Sequence, residues 1–176
     1  MALLSQAFRP WPTQRAGLFV DTQNLYHSAR DFYQQQVDYQ SLLSFVARER
    51  RLLHATAYVV EREGEDSAYG FISKLSLLGY RVRRRKLRLL YYDDQGRPVL
   101  DGDWDMGIAA DMVRAWPQLD SLVLASGDGD FVPMLQLAQD QGLRVEVLAF
   151  KESASQALLD MCDVFYNLST LENIFV

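Results

Sequence analysis

Short apolar segments alternate along this chain with segments of helical periodicity, and that alternation limits the fold more than any other feature of the sequence. The segments at 17–20, 121–125 and 144–149 are rich in Leu and Val and are too short to be buried helices. Strands that alternate with helices form a mostly parallel sheet with helices packed on both faces. We therefore predict an α/β fold of three layers around a central, mostly parallel sheet.

The same patterns place the individual elements. The predicted strands are 17–21, 55–60, 80–92, 121–125, 144–149 and 164–166. The predicted helices are 24–33, 39–50, 67–78, 105–116, 131–141 and 155–161, and Asp130 is a candidate N-cap for the fifth. Residues 1–16 contain two prolines and no periodicity, so we predict a tail or packing arm there and a single domain over 17–170.

Composition narrows the class of protein. The net charge of −5 argues against a protein that binds nucleic acid by charge alone, although a carboxylate metal site would itself make the balance more negative. Cys162 is the only cysteine, which excludes an intrachain disulfide and a Cys-rich zinc site. No segment approaches the roughly 20 apolar residues that span a membrane, and no signal peptide is evident. We therefore expect a cytoplasmic protein without a membrane partner.

Acidic and polar residues directly follow two of the predicted strands. Asp21 ends the first strand and Asn24 comes three residues later, while Ser126, Asp128 and Asp130 follow the strand at 121–125. Ligands of open α/β sheets bind outside the carboxyl ends of the strands, so we expect these side chains to converge there. Helix capping or turn formation would account for each aspartate singly, but not for their convergence.

A further acidic group leads into the predicted helix at 105–116. Asp105 and Asp111 lie six residues apart, about 120° around a helix, so both could lean towards one site. Clustered carboxylates suit Mg²⁺ or Mn²⁺, which are hard ions that prefer oxygen ligands and can activate water for phosphodiester hydrolysis. The predicted metal ligands are Asp21, Asn24, Asp105, Asp111, Asp128 and Asp130. Asp21, Asp105 and Asp128 are the predicted catalytic residues, and Ser126 is a predicted contact to a carboxylate or a phosphate.

One dense basic run stands out from an acidic chain. Residues 81–88 carry six Arg or Lys side chains, and within this run Arg83, Arg84, Arg85 and Lys86 are the predicted substrate-binding residues. A charged edge strand that resists aggregation would explain the run equally well. Tyr91 and Tyr92 could stack on bases, although aromatic residues are also ordinary in strands.

Other motifs match poorly. Asp101–Asp105 resembles the start of a calcium loop, but Met106 and Met112 occupy the positions where that loop has glycine and glutamate. A phosphatase of the haloacid-dehalogenase type would use Asp128 and Asp130 as its Asp-x-Asp pair, yet Lys151 is a poor match for its later lysine.

Taken together, these segments resemble the NYN domain family of PIN-like ribonucleases, and most closely its bacterial LabA-like branch. The matching segments, over roughly residues 17–167, are Val20–Asn24, Gly102–Asp105 with Asp111, Ser126–Phe131 and Arg144–Val147. The resemblance implies a PIN-like (Rossmann-like) fold and Mg²⁺- or Mn²⁺-dependent cleavage of single-stranded or structured RNA. It implies roles in that cleavage for Asp21, Asn24, Asp105, Asp128 and Asp130.

Two departures from the family pattern leave a second function open. Thr22 stands where many relatives have glycine, and Asp101–Gly102 stands where many have a lysine. Without that lysine, a non-catalytic RNA- or protein-binding regulator that keeps the fold is the alternative to a ribonuclease. The sequence leaves the oligomeric state open, with a homodimer as one candidate.

Overall fold

A computed structural model describes residues 11–61, 67–101 and 104–176. Its strands are β1 Arg15–Asp21, β2 Arg51–Glu61, β3 Arg81–Lys86, β4 Arg88–Tyr92, β5 Pro98–Asp101, β6 Ser121–Ala125, β7 Arg144–Ala149 and β8 Val164–Asn167. Its helices are α1 Thr22–Tyr33, α2 Tyr39–Ala47, α3 Ser67–Leu77, α4 Asp105–Ala115, α5 Val132–Asp140 and α6 Gln156–Met161. Short 3₁₀ turns follow α4, precede α5 and follow β8.

Six of the strands form one sheet in the order β3-β2-β1-β6-β7-β8, and every neighbouring pair is parallel. The chain enters the sheet at its centre with β1, moves outward to β3, and then returns to β6 and moves outward to β8. The order therefore reverses between β1 and β6. A reversal of this kind opens a crevice beyond the carboxyl ends of the two strands.

Helices cover both faces of this sheet, which confirms the three-layer α/β fold. The side chains of β1 alternate, so that Leu18 and Val20 join the core under α1, α2 and α3 while Phe19 joins the core under α4, α5 and α6. β6 alternates in the same way, and all five of its residues are buried. Two apolar cores, one on each face, hold the central strands rigidly in place. None of the helices in the described ranges is long and apolar enough to cross a membrane.

The prediction of one long strand over 80–92 is wrong. Glu61 at the end of β2 accepts a hydrogen bond from the backbone N–H of Leu87, and the chain then leaves the six-stranded sheet. β4 and β5 pair with each other in antiparallel fashion as a separate two-stranded hairpin. The predicted turn at 94–98 lies at the tip of this hairpin.

Arginines meet acids at the amino ends of the central strands. Asp120, just before β6, accepts hydrogen bonds from Arg15 through the backbone N–H at 2.8 Å and the guanidinium at 2.7 and 3.1 Å. Glu146 in β7 is fully buried and accepts from the Arg50 guanidinium and the Ser121 hydroxyl, both at 2.7 Å. These contacts tie the starts of neighbouring strands together at the end of the sheet that faces away from the crevice.

Candidate functional site

A cleft of about 320 Å³ lies at the carboxyl edge of the sheet, where the chain turns from β1 and from β6 towards opposite faces of the sheet. Asp21 is the last residue of β1, and α1 begins immediately after it. The opposite wall comes from the start of α4 and from the loop after β6. The residues that line the cleft are Asp21, Gln23, Asn24, His27, Ser28, Trp104, Asp105 and Asp128. A larger hollow of about 550 Å³ lies at the amino end of the sheet, away from these acids.

Asp21 occupies the floor of this cleft. Its Oδ1 accepts a hydrogen bond from the Asn24 backbone N–H at 3.0 Å, and its Oδ2 accepts from the Ser126 hydroxyl at 3.3 Å. Burial raises the pKa of the Asp21 carboxyl above its usual range, and the negative charge of Asp128 adds to this shift. The two hydrogen bonds act in the opposite direction, because they favour the ionised form. The ionised carboxylate is thus held by neutral donors in a place where a cation would stabilise it.

Asn24 and Ser126 connect the two walls of the cleft. The Asn24 side-chain Oδ1 accepts a hydrogen bond from the Gly127 backbone N–H at 2.9 Å, which joins α1 to the loop after β6. The Ser126 hydroxyl donates to Asp21 and accepts from the Asp128 backbone N–H at 3.2 Å. Ser126 is fully buried, so its hydroxyl orients the acids from within the wall of the cleft. Asn24 lines the cleft itself.

Three carboxylates gather at the mouth of the cleft. One oxygen from each of Asp105, Asp128 and Asp130 lies within 4.8 Å of the others. Asp128 and Asp130 come from the loop after β6, whereas Asp105 opens α4 on the same face of the sheet. Three negative groups at this spacing repel one another, and a divalent cation would relieve that repulsion. Asp21, half-buried on the floor of the same cleft, adds a fourth carboxylate beside this group.

The loop that carries Asp128 and Asp130 has a tight local structure. The Asp128 carboxylate accepts from the Asp130 backbone N–H at 3.0 Å and caps the 3₁₀ turn at 129–131. The prediction that Asp130 caps the following helix is therefore wrong, because α5 has no side-chain cap. A Cβ on Gly129 would lie 2.6 Å from the Ser155 Oγ, and one on Gly127 would lie 3.1 Å from the Ala154 Cα. Glycine on each side of Asp128 thus lets the loop pack closely against residues 153–155.

Trp104 was missed by the sequence analysis and anchors the start of α4. Its indole Nε1 donates to the Val59 carbonyl at 3.1 Å, and its ring packs on Tyr58 at 5.3 Å between centroids. The Arg85 guanidinium lies over the same ring at 4.8 Å. A Cβ on Gly107 would lie 2.5 Å from the ring, so this glycine makes room for the indole. The residue that precedes Asp105 is therefore fixed against β2 and β3.

Asp111, another predicted ligand, lies one and a half turns further along α4 in a different environment. Its carboxylate accepts from the Tyr58 hydroxyl at 3.0 Å, from Arg83 at 3.1 and 3.2 Å, and from Arg114 at 2.8 Å. Two guanidinium groups already balance its charge. The structure thus brings Asp105, Asp128 and Asp130 together beside Asp21, and it places Asp111 in an arginine cluster instead.

Two arginines of the basic run form ion pairs within the protein. Arg83 pairs with Asp111, and Arg84 pairs with Glu61 through bonds of 2.7 and 2.9 Å. The Arg84 guanidinium lowers the pKa of the Glu61 carboxyl. Both arginine side chains remain nearly half exposed, with 45% and 49% of their surface accessible. Lys86, at the carboxyl end of β3, is also exposed.

His27 is a further cleft residue that the sequence analysis did not single out. It lies one turn after Asn24 on α1, and an i, i+3 spacing places both on one side of the helix. Its ring Nδ1 lies 3.3 Å from an Arg30 guanidinium nitrogen. That helical spacing from Asn24 is the signal that could have identified it.

Three comparisons place these features among known proteins. A family model described as "NYN domain" matches residues 15–169. The low amplitude and bright protein LabA of Synechococcus elongatus is 28% identical over 175 residues, which cover 95% of this chain and 89% of LabA. A crystal structure of a protein of unknown function from Vibrio parahaemolyticus matches with a TM-score of 0.82 and 25% identity, over 96% of this chain and 100% of that chain. The matched region contains all six strands of the parallel sheet and every predicted site residue.

Proposed function

The chain belongs to the NYN domain family, as its motifs predicted, and from this premise we propose that it hydrolyses RNA phosphodiester bonds with the help of Mg²⁺ or Mn²⁺. The observation that carries the proposal is the meeting of Asp105, Asp128 and Asp130 oxygens within 4.8 Å of one another, beside the half-buried Asp21. Asp21, Asp105 and Asp128 are the proposed catalytic residues, and Asp130 completes the acidic group.

The donor set fits such an ion. Every side chain in the group offers carboxylate oxygen, which Mg²⁺ and Mn²⁺ prefer, and no thiolate takes part. Burial and the Asp128 charge make the ionised form of Asp21 costly, and a nearby cation would offset that cost. When bound, a divalent ion lowers the pKa of water and stabilises charge on the phosphate oxygens.

Neighbouring residues of the chain hold the carboxylates in a fixed orientation. Asp21 and Asp128 are held through the shared Ser126 hydroxyl, so their carboxylates keep a defined mutual geometry. Asn24 fixes the loop that carries Asp128 by accepting from the Gly127 N–H. Because Ser126 is buried and engaged in both hydrogen bonds, it is a poor nucleophile, and water is the attacking group in this proposal.

The test is cleavage of labelled RNA, single-stranded and structured, with Mn²⁺, with Mg²⁺ and with chelator. Asp128→Asn should lower the rate by about 100-fold or more, because it removes charge from the acidic group, while RNA affinity measured in chelator stays close to that of the wild type. Asp140→Asn is the matched control, since Asp140 is exposed at the far end of α5. Cleavage that survives Asp128→Asn or full chelation would refute the proposal.

A second candidate is a regulator that binds RNA or protein without cleaving it. The observation that favours it is the pairing of Arg83 and Arg84 with Asp111 and Glu61, which uses basic residues to hold the fold together. Under this alternative the purified chain cleaves no RNA in either metal, and Asp128→Asn leaves partner binding unchanged. The same set of assays therefore separates the two candidates.

A further inference from the structure

The β4–β5 hairpin stands apart from the rest of the fold. Its two strands pair with each other and with no strand of the parallel sheet. At its tip, Asp93 accepts from the backbone N–H groups of Gln95 and Arg97 and pairs with the Arg97 side chain at 2.8 Å. The backbone of Gly96 adopts φ +72°, a conformation that favours glycine in such a turn. The hairpin is therefore stabilised by hydrogen bonds within its own turn.

Three consecutive apolar side chains on this hairpin face solvent. Leu90, Tyr91 and Tyr92 are 58%, 60% and 63% exposed, and the strand register shifts between Leu89 and Tyr91. Two tyrosines of the parallel sheet and its cores differ from these, because Tyr58 and Tyr80 are buried and their hydroxyls donate to Asp111 and to a backbone carbonyl. Tyr91 and Tyr92 pair in register with Val99 and Pro98, so they point to opposite faces of the hairpin and each face carries one exposed aromatic ring.

The hairpin is joined to the carboxyl edge of the sheet at both of its ends. β4 starts at Arg88, two residues after the edge strand β3 ends, and β5 ends four residues before Asp105 in the acidic group. Lys86 and Arg88 are exposed where the hairpin begins. The two tyrosines thus belong to the segment that links the basic edge strand to the acidic helix start.

We propose that this hairpin is a stacking platform for the unpaired bases of single-stranded RNA, with Tyr91 and Tyr92 as the stacking residues. Exposed aromatic rings bind splayed bases, and adjacent cations bind the phosphates between them. The identity of the ligand as RNA rests on the proposed function. Charge complementarity favours RNA over a second copy of this chain, because symmetric hairpins would bring their own Lys86 and Arg88 charges together.

Fluorescence anisotropy with labelled oligouridylate, in chelator so that nothing is cleaved, tests the platform. Tyr91→Ala and Tyr92→Ala should each weaken binding at least about fivefold, because stacking on one aromatic side chain contributes at least that much. Tyr91→Phe and Tyr92→Phe keep the ring and should bind like the wild type. Phe32→Ala is the control for an exposed aromatic residue elsewhere, since Phe32 is 54% exposed at the far end of α1. Double-stranded RNA and an abasic strand should not distinguish the alanine variants from the wild type.

Each result has a defined meaning. Unchanged oligouridylate affinity in both alanine variants, or no binding by the wild type, overturns the platform. A shift from dimer to monomer in sedimentation, without a change in RNA affinity, also overturns it and assigns the hairpin to self-association. If the wild type binds RNA through these tyrosines but cleaves none with Mn²⁺ or Mg²⁺, the platform stands and the hydrolytic function fails. If RNA is cleaved with the same KM in the alanine variants, the function stands and the platform fails.

Discussion

The acidic residues at the two ends of the parallel sheet have different kinds of hydrogen-bond partner. At the amino end, Asp120 and Glu146 each have an arginine partner within 2.7 Å. At the carboxyl end, Asp21 and Asp128 accept hydrogen bonds from neutral N–H and O–H groups of the described residues. The paired charges at the amino end hold the strands together. At the carboxyl end, Asp21 and Asp128 are crowded carboxylates with neutral donors, and a positive charge would stabilise them.

The pKa values follow the same division. Hydrogen bonding from Arg15 lowers the pKa of Asp120, whereas burial raises the pKa of Asp21. A lowered carboxyl pKa contributes stability above the unfolded pKa, and that stability is lost as pH falls through the folded value. A raised carboxyl pKa does the reverse, since its contribution is present at low pH and is lost as pH rises through the folded value. At neutral pH, therefore, the amino end gains stability from its acid while the carboxyl end loses stability to its own.

The largest effect is expected at the amino end. Arg50→Leu should lower the free energy of unfolding by about 2–4 kcal/mol, because the buried Glu146 carboxylate loses its nearest cation and keeps the Arg144 Nε at 3.4 Å. Urea denaturation measures the loss. Arg51→Leu is the control, since Arg51 is the neighbouring residue but is exposed, and the double variant Arg50→Leu/Glu146→Leu should recover much of the loss. A loss below 1 kcal/mol for Arg50→Leu would remove the structural role assigned to this pair.

A smaller effect is expected at Trp104, at the carboxyl end of the sheet beside the proposed metal site. Trp104→Phe keeps an aromatic ring but loses the hydrogen bond to Val59, so the start of α4 becomes less well fixed. Mn²⁺ affinity measured by calorimetry should fall about tenfold, which is a typical loss when a residue that orients a metal ligand is changed. Trp116→Phe is the control, because its buried Nε1 has no hydrogen-bond partner among the described residues. Equal Mn²⁺ affinity in the two variants would show that Trp104 does not position Asp105.

The smallest effect should have the opposite sign to the first. Asp21→Asn, in the absence of divalent ions and at neutral pH, should stabilise the chain by about 1 kcal/mol, or roughly 2–4 °C in Tm. The reason is that the variant removes a partly desolvated negative charge beside Asp128. Mn²⁺ should then raise the Tm of the wild type and not that of the variant. Thermal scans check both points against Asp140→Asn, and a less stable Asp21→Asn variant would contradict the electrostatic account of the cleft.

The central sheet could be predicted from the sequence because its signals are local. β6 coincides with a run of residues that are all buried, as burial on both faces requires, and β7 follows the predicted segment at 144–149, which is apolar apart from Arg144 and Glu146. The break between β3 and β4 has no such signal, since residues 80–92 contain no glycine or proline and every part suits a strand. The break depends on where β2 ends, which a reading of 80–92 alone does not reveal.

The candidate site was predictable in part for a related reason. Residues directly after β1 and β6 meet because parallel strands end at one edge, so Asp21, Asn24 and Asp128 could be placed together from sequence order alone. Asp111 could not be placed that way, because its partners Tyr58 and Arg83 come from strands far away in the sequence. Helical geometry limits the direction of a side chain, but a tertiary ion pair decides which neighbour it meets.

The close packing of Gly127 and Gly129 against residues 153–155 has a consequence for how relatives of this chain can diverge. A larger residue at either glycine cannot be accepted unless the facing segment moves by several tenths of an ångström or shortens. The Ser155 backbone N–H also donates to the Gly127 carbonyl at 2.9 Å, so the two segments cannot separate without losing that bond. Substitutions in the two loops should therefore be inherited together, and a homologue that lacks one glycine should show a compensating deletion or rearrangement near 153–155.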